Sequence, residues 1–522
     1  MRIMKLRRLC LLFVLTGGLG ALAAAPPSPG LDTERHIVPP IERREAELCA
    51  RQLDYAARLI AQNYFRDITE PALIGAAAMG LYQAAGLAPP IELQREPGTY
   101  YAGRDVVEEL TKIRQALGKH EALRGGRDVT VGLNAMLELL DPYSVLDAAE
   151  NLIASTVDAN VQVGLTVEDR ADPRQPWIVR SVATGSPADR AGLKPGDALL
   201  GFDERELPLK MLPTLFVQSL AAPADTRHKA LVRSPGEATP RTITLVYRVS
   251  GAVETPLFGR RRLDADSWDY WLDARQRIAY LRCGYLTQEL EAEFFQVLRE
   301  LRQQGMTGLV LDLRDCQGGF LKVAKGIADA FLDKGQSIAR IRYGNRSTPA
   351  NVLQNEVDRG EYLADGPPVL PREVKVVILV GPDTMGGGEL VAAALQDNHR
   401  AVVIGQRTRG KGTVQTTFND IGLDQTRFVS LRLSTGVLVR PSGQALQRLA
   451  TSGASDPWGV RPNEGHELRI SAELARQIRR WRHDYERRQF DNRVVLPLDM
   501  PQNDPVLAAA LKHLQSAPKP EF

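Results

Sequence analysis

The sequence predicts a chain of mixed α/β and β structure in which several domains follow one another. Three observations support this fold class. Apolar residues recur at helical spacing from about residue 41 to 141, and short alternating runs separated by turns fill 161–250. From about 268 to 463 strands alternate with helices, which is typical of a mostly parallel sheet with crossover helices.

The domain boundaries follow from these changes of pattern. After a targeting segment we expect an N-terminal helical region, a small β domain, an α/β core with a mostly parallel sheet, and a C-terminal helical tail. In that order the predicted ranges are 1–25, 41–145, 158–250, 255–466 and 467–522.

Composition and charge exclude several classes of function. The chain of 522 residues is 43% hydrophobic and 25% charged, as expected for a folded soluble protein. Its net charge of +3 is nearly balanced, and no basic block is interleaved with aromatic residues, so nucleic acid is not an expected partner. The seven histidines are scattered and no phosphate-binding loop is present, so neither a metal nor another cofactor is expected.

The first residues have the pattern of an export signal. Lys5, Arg7 and Arg8 precede the apolar run LCLLFVLTGGLGALAAA, and Ala21–Leu22–Ala23 supplies the small residues that a signal peptidase accepts. An uncleaved anchor is the alternative, which leaves a membrane-surface association open. The run is short for a bilayer, so we predict cleavage and a periplasmic or other extracytoplasmic location.

Three cysteines remain after the signal: Cys49, Cys283 and Cys316. An oxidising compartment would allow one disulfide bond among them. Cys283 and Cys316 each end a predicted strand, so neighbouring parallel strands would bring them together. The alternative is that both are small buried fillers, as free cysteines often are.

The β region resembles a PDZ domain. The order of GLTV, then GSPADRAGLKPGDALLGFD, then a final strand matches the circularly permuted PDZ domain of bacterial exported proteases. Such domains bind a peptide C-terminus as an added strand, with backbone N–H groups near a glycine loop holding the carboxylate. The resemblance implies that Val163, Gly164 and Leu165 form this loop. A small sandwich that binds nothing is the alternative.

Three loops follow predicted strands in the core: DLRDCQGG, GPDTMGGGE and TRGKGTVQ. Ligand and catalytic groups gather beyond the carboxyl ends of such strands. Lys411, between two glycines, is a general base only if burial or a cationic neighbour lowers its pKa. Gln415 lies four positions later and would orient the ammonium group. An exposed loop charge is the alternative reading of Lys411 considered alone.

These loops, together with LDPYS, the β region, RPSG and GVRPN, resemble the carboxyl-terminal processing peptidases, or tail-specific proteases, in both sequence and order. The family uses a serine nucleophile, a lysine base and a glutamine partner. The resemblance implies that Lys411 is the base and Gln415 its partner. It also implies an oxyanion hole at Gly318 and Gly319, with Gly387 added from the nucleophile turn. Protein C-terminal tails or unfolded polypeptides are the implied partners.

The nucleophile position departs from the family pattern. The family places its serine three residues before a glutamate, and three residues before Glu389 stands Gly386. Thr384 and Glu389 fix this register, and no serine occurs between Ser347 and Ser430. Cys316 also stands where the family favours asparagine. We therefore expect the fold to survive and the covalent step to be lost.

Three hypotheses remain open from the sequence. The first is an exported, proteolytically inactive member of the family that captures protein tails. The second is an active serine-type family peptidase that uses Thr384, Cys316 or a water molecule activated by Lys411. The third is a structural scaffold of the cell envelope. Asp141–Pro142–Tyr143–Ser144 is interpreted as a turn closing the helical region rather than as a source of a nucleophile.

Overall fold

The coordinates are those of a computed structural model. It describes residues 39–95, 101, 103–147, 160–168, 170, 172, 174–183, 186–203, 205–207, 216–217, 219–248, 257–263, 268–344, 361–422, 428–449, 451–487 and 504–516. The predicted export signal lies outside these residues. Within the described ranges, no helix combines the length and the apolar character needed to span a bilayer.

A layer of helices opens the described chain and ends in a short strand. Its elements are α1 (Arg43–Asn63), α2 (Glu70–Ala84), α3 (Ile91–Arg95), α4 (Val106–Leu117), α5 (Arg127–Leu137) and β1 (Val145–Asp147). Side-chain caps explain two of the starts: Thr69 accepts from Ala72 N and Asp105 from Glu108 N, each typically contributing about 1 kcal/mol. The apolar core of this layer also includes Phe418, Leu431 and Leu433, so it is shared with a distant part of the chain.

The β region forms a small antiparallel sheet with a single helical turn. Its elements are β2 (Asn160–Val161), β3 (Leu165–Val167), β4 (Trp177–Val182), α6 (Pro187–Arg190), β5 (Ala198–Phe202), β6 (Arg205–Glu206), β7 (Ala222–Pro223), β8 (Arg227–Arg233) and β9 (Arg241–Val246). The strand order is β3-β4-β5-β8-β9, which leaves β3 at an edge. Trp177 stacks on Phe216 at 4.2 Å in the core, and Ser186 caps α6, the short helix that the sequence predicts.

A buried sheet with four adjacent parallel strands forms the centre of the core. Its elements are β10 (Leu257–Phe258), β11 (Arg261–Arg262), β12 (Trp268–Asp269), β13 (Trp271–Asp273), β14 (Ile278–Cys283), α7 (Gln288–Gln303), β15 (Gly308–Asp312), α8 (Leu321–Asp329), β18 (Lys375–Val380), α9 (Gly387–Asp397) and β19 (Val402–Gly405), with β11 and β12 pairing separately. Strands β14, β15, β18 and β19 pair in parallel in that order. Their runs are almost entirely apolar because helices cover both faces.

A second, antiparallel sheet includes the strands that follow the loop containing Lys411, here called the lysine loop. It contains β16 (Ser337–Tyr343), β17 (Glu361–Leu363), β20 (Thr413–Gly422) and β21 (Phe428–Val439), and β1 joins its edge. The alternation of strands and helices between about 268 and 463 predicts that the run SIARIRY, residues 337–343, belongs to the mostly parallel sheet. That placement was wrong, because β16 pairs antiparallel with both β17 and β21.

The C-terminal region contains α10 (Ala472–Arg487) and α11 (Pro505–Ser516). Helix α11 packs against the parallel sheet through Val506, Leu507 and Ala510. Helix α10 contacts the β domain, where Arg476 and Arg479 both pair with Glu168 at 2.8 Å. The tail therefore packs on the rest of the protein.

Candidate active site

The turn between β18 and α9 has a backbone conformation that few residues adopt. Gly386, the residue before α9, has φ +57° and ψ −117°, a combination that costs a residue with a side chain about 1–3 kcal/mol. A side chain at this position would not collide with its surroundings. A Cβ built on Gly386 would have one neighbour within 4 Å, the Cα of Gly318 at 3.5 Å. Strained strand-to-helix turns of this kind display nucleophiles in several hydrolases.

Thr384 supports this turn and is not poised to react. Its side chain is buried, its hydroxyl donates to Leu313 O at 2.8 Å, and its Oγ1 accepts from Gly381 N at 3.0 Å. The hydroxyl proton and a lone pair are therefore both committed to the backbone. Thr384 thus ties the turn to the end of β15.

Glu389 joins the turn to the lysine loop. Its Oε2 accepts from Gly386 N at 3.1 Å and from Lys411 N at 2.8 Å. Its Oε1 accepts from Gly410 N at 2.7 Å and from the Thr408 hydroxyl. Burial raises the pKa of this carboxyl to about 7 despite the four donors. One carboxylate oxygen thus holds the backbones of Gly386 and Lys411 together.

The environment of Lys411 suits a general base. Burial lowers the pKa of its ammonium, and the positive charge of Arg432 lowers it further, whereas Asp141 and Glu389 act in the opposite direction. The ammonium nitrogen lies 5.0 Å from the centre of the Tyr143 ring. The exposed loop charge considered above is therefore wrong, because the side chain is largely enclosed.

Gln415 belongs to a chain of polar groups beside the lysine. Its amide nitrogen donates to Thr413 Oγ1 at 2.7 Å and contacts Ser434 Oγ at 3.1 Å. Ser434 Oγ in turn donates to Asp141 Oδ1 at 3.0 Å. Since both amide protons are used in this way, the side-chain oxygen of Gln415 is the atom left to accept a hydrogen bond.

Sequence reasoning missed the contribution of Asp141 and Tyr143 to this environment. The turn interpretation holds locally, since the Ser144 hydroxyl donates to Asp141 Oδ2 at 2.8 Å. Yet the same turn reaches Ser434 N through Ser144 Oγ at 3.1 Å, and it places the Tyr143 ring against Lys411. The presence of LDPYS among the family-like motifs was the only sequence signal.

The glycine loop after β15 lies directly against the turn. Gly318 and Gly319 have φ +92° and +139°. A Cβ at Gly319 would lie 2.3 Å from Leu286 O, because this loop pairs with the segment around Leu286. Gly387 is the first residue of α9, where backbone N–H groups lack partners within the helix.

Cys316 lies in the same loop, and its thiol is in an environment that disfavours reactivity. Its side chain is buried, and burial raises the pKa of the thiol to about 12. A thiolate is therefore rare at neutral pH. Both Cys283 and Cys316 are free and buried, so the disulfide bond considered above is absent and the buried-filler alternative describes them.

The loop Val163–Leu165 leads into the edge strand β3. Gly164 has φ +74°, and a Cβ there would lie 2.1 Å from the Cβ of Ser186. The carbonyls of Val163 and Gly164 accept from Ala188 N and Ala183 N. Further along β3, the Gln317 amide from the glycine loop lies 3.3 Å from Thr166 Oγ1. The free edge of β3 is therefore close to the glycine loop.

Comparison with known proteins finds similarity to one family of peptidases. Residues 277–463 match the model of peptidase family S41. The carboxyl-terminal-processing protease of Synechocystis sp. is 29% identical over 302 residues, which are 57% of this chain and 64% of that protein. The chloroplastic C-terminal processing peptidase of Tetradesmus obliquus is 26% identical over 323 residues, 58% and 64% of the two chains. Each alignment thus spans less than two thirds of the relative's own length.

Solved structures show the same fold at low identity. The photosystem II D1 C-terminal processing protease aligns with a TM-score of 0.51 and 20% identity, covering 83% of this chain and 97% of that one. Mature CPAF complexed with lactacystin aligns with a TM-score of 0.50 and 13% identity, covering 90% and 100%. At these identities the likeness concerns the fold.

Proposed function

We propose that this chain, whose residues 277–463 match peptidase family S41 and which is similar to carboxyl-terminal-processing proteases, is an exported member of that family that captures protein C-terminal tails without cleaving them. The observation that carries the proposal is Gly386. It occupies the strained turn that Glu389 ties to the backbone of Lys411, with room for a side chain and none present.

The expected loss of activity follows from the mechanism of the family. Removing the nucleophile from a coupled serine mechanism costs a factor of about 10⁶ in turnover. The environment of Lys411 is consistent with a retained base, since burial and Arg432 still lower its pKa. The chain is thus proposed to have lost the side chain of the nucleophile while keeping the lysine base and its surroundings.

Other nucleophiles receive no support from their surroundings. The hydroxyl of Thr384 is hydrogen-bonded to backbone on both sides. The thiol of Cys316 is buried, and its pKa is raised to about 12. An active peptidase would therefore need a water molecule activated by Lys411, which lacks the covalent step of the family mechanism.

Tail capture is proposed for the PDZ-like domain. Among the strands that the structure describes, β3 pairs with β4 alone, and we propose that an extended peptide adds to its other edge. The loop at Gly164 precedes this edge and would meet the carboxylate of the tail. A tail lying on β3 would pass the glycine loop, since Gln317 contacts Thr166.

Restoring the hydroxyl tests the proposed loss. Gly386→Ser should gain hydrolysis of unfolded substrates with apolar C-termini, whereas the wild-type protein should show none. Gly386→Ala is the matched control, since it introduces the same backbone strain without a nucleophile. Activity should vanish again in Gly386→Ser combined with Lys411→Ala. Wild-type cleavage that Lys411→Ala abolishes would instead establish the active peptidase.

A binding measurement tests tail capture and the scaffold alternative. Fluorescence anisotropy should give tighter binding for peptides with a free apolar C-terminus than for their amidated forms. Gly164→Ala should weaken this binding because its Cβ would collide with Ser186. Gly192→Ala is the control in the same domain, with φ +77° and nothing within 4 Å of the new Cβ. Equal affinities for the acid and the amide would favour the scaffold.

A further inference from the structure

A cavity of about 300 Å³ lies at the amino-terminal edge of the parallel sheet. Its lining includes Lys375 and Val402, the first residues of β18 and β19. The turn containing Gly386 follows the other end of β18. The cavity is therefore separate from the candidate active site and belongs to no function discussed so far.

The lining of this cavity is basic. It includes Arg372, Lys375, His399, Arg400 and His513, and its other polar side chains are the amides of Gln396 and Asn463. None of the lining residues that the structure describes is a carboxylate. The whole chain has 66 basic and 63 acidic residues, so this one-sided lining departs from the protein's overall balance.

Within the part of the chain that the structure describes, no carboxylate forms an ion pair with the buried guanidinium of Arg400. Its residue is only 7% exposed, and its guanidinium donates to the carbonyls of Phe331, Leu370 and Pro371 at 3.0–3.4 Å. Burial and the charge of Arg372 lower the pKa of Arg400 to about 10. Neutral carbonyls satisfy the hydrogen bonds of this group but leave its positive charge in place.

The nearest carboxylates lie at the rim. Arg372 pairs with Asp333 at 2.8 Å, and both side chains are about half exposed, so water weakens this pair. Asp333 and Glu373 raise the pKa of Arg400, but burial and the charge of Arg372 lower it by more, so the net shift is downward. A positive potential therefore remains inside the cavity.

Two histidines also line the cavity. His513 Nδ1 lies 3.3 Å from His466 Nε2, and burial together with His466 lowers the pKa of His513. An anion in the cavity would favour the protonated form of His513. His399 follows α9 with φ +53° and lines the same cavity.

We propose that this cavity binds a phosphate group, supplied by a free phosphate ion, by pyrophosphate or by a phospholipid headgroup. Guanidinium and ammonium groups form strong charge-assisted hydrogen bonds with phosphate oxygens. The three permanent charges of Arg372, Lys375 and Arg400 match the multiple negative charges of such a ligand.

Calorimetric titration of the intact mature protein with pyrophosphate, at ionic strength held constant with chloride, tests the proposal. Lys375→Gln should weaken binding by about tenfold, as expected for the loss of one hydrogen bond to a charged group. His399→Asn should also weaken it, and asparagine tolerates the left-handed backbone there. Lys119→Gln, at an exposed lysine of the helical layer, is the control and should bind as the wild type does.

A flotation assay separates the sources of the phosphate. Binding to phosphatidylglycerol vesicles but not to phosphatidylcholine vesicles, reversed by pyrophosphate, would identify an acidic headgroup, whereas pyrophosphate binding alone would identify a soluble ligand. Absence of both, or binding that Lys375→Gln and His399→Asn leave unchanged, would overturn the proposal. The basic residues would then only offset the carbonyl ends of α9 and α11.

Discussion

Glu389→Gln tests whether the carboxylate of Glu389 holds the turn and the lysine loop together. Each oxygen of this carboxylate accepts from two donors, at Gly386 and Lys411 on one side and at Gly410 and Thr408 on the other. A glutamine has one oxygen: its NH₂ group would face the backbone N–H groups of Gly386 and Lys411 in one orientation, and in the other the N–H of Gly410 together with the Thr408 hydroxyl, which can accept. The change is nearly isosteric and leaves no cavity.

Two contributions to the free energy of unfolding are expected to change. One or two buried donors lose their acceptor, at about 1–3 kcal/mol each, and this loss is present at every pH. The second contribution depends on pH, because burial raises the pKa of Glu389 from 4.5 to about 7. At 1.36 kcal/mol per pKa unit, that shift corresponds to about 3 kcal/mol.

The sign of the pH effect follows from proton binding. Between pH 4.5 and 7 the folded wild-type protein keeps a proton on Glu389 that the unfolded chain releases. Stability from this group is therefore fully present below about pH 4.5 and is lost as pH rises through about 7. Glutamine does not titrate, so the variant should lack this part of the pH dependence.

Urea denaturation at several pH values between 5 and 8 measures both contributions. The free-energy difference between wild type and Glu389→Gln should shrink by about 2–3 kcal/mol across this interval. Glu138→Gln, at an exposed position in the helical layer, should show no such change. Parallel pH profiles for wild type and Glu389→Gln would refute the assignment of a buried, proton-binding carboxyl to Glu389.

Two further predictions concern the glycine loop. Gly319→Ala should destabilise the protein by about 3 kcal/mol, because its Cβ would lie 2.3 Å from Leu286 O at φ +139°. Gly335→Ala, with φ +85° and open space, should cost only about 1–2 kcal/mol in the same thermal unfolding assay, and equal losses would contradict the close approach. The thiol of Cys316 should not react with Ellman's reagent until the protein is unfolded, and rapid native labelling that Cys316→Ser removes would disprove its burial.

The local sequence pattern was sufficient to predict those helices and turns whose own residues define them. The apolar spacing of TQELEAEFFQVLRELRQQG and the capping threonine predict a helix, and α7 covers Gln288–Gln303 with Thr287 accepting from Leu290 N. The glycine turn before Glu389 was likewise readable from its own residues, and the structure places Gly386 directly before α9.

Pairing between distant segments could not be predicted in the same way. Strand β16 alternates exposed and partly buried residues in its second half, which suits a one-sided antiparallel sheet, but its place after a crossover helix suggested the parallel one. The contact of Tyr143 with Lys411 joins positions far apart in the sequence. Spacing along the chain carries no information about such a contact.

The helical layer at the start of the described chain is more than a leading domain. Phe418, Leu431 and Leu433 complete its apolar core, and Tyr143 at its end forms part of the wall around Lys411. Removing this layer by truncation before the β domain would expose those side chains to water and open the surroundings of Lys411. A shortened protein beginning near residue 158 should therefore be prone to aggregation, and the peptidase core should not survive limited proteolysis without its helical partner.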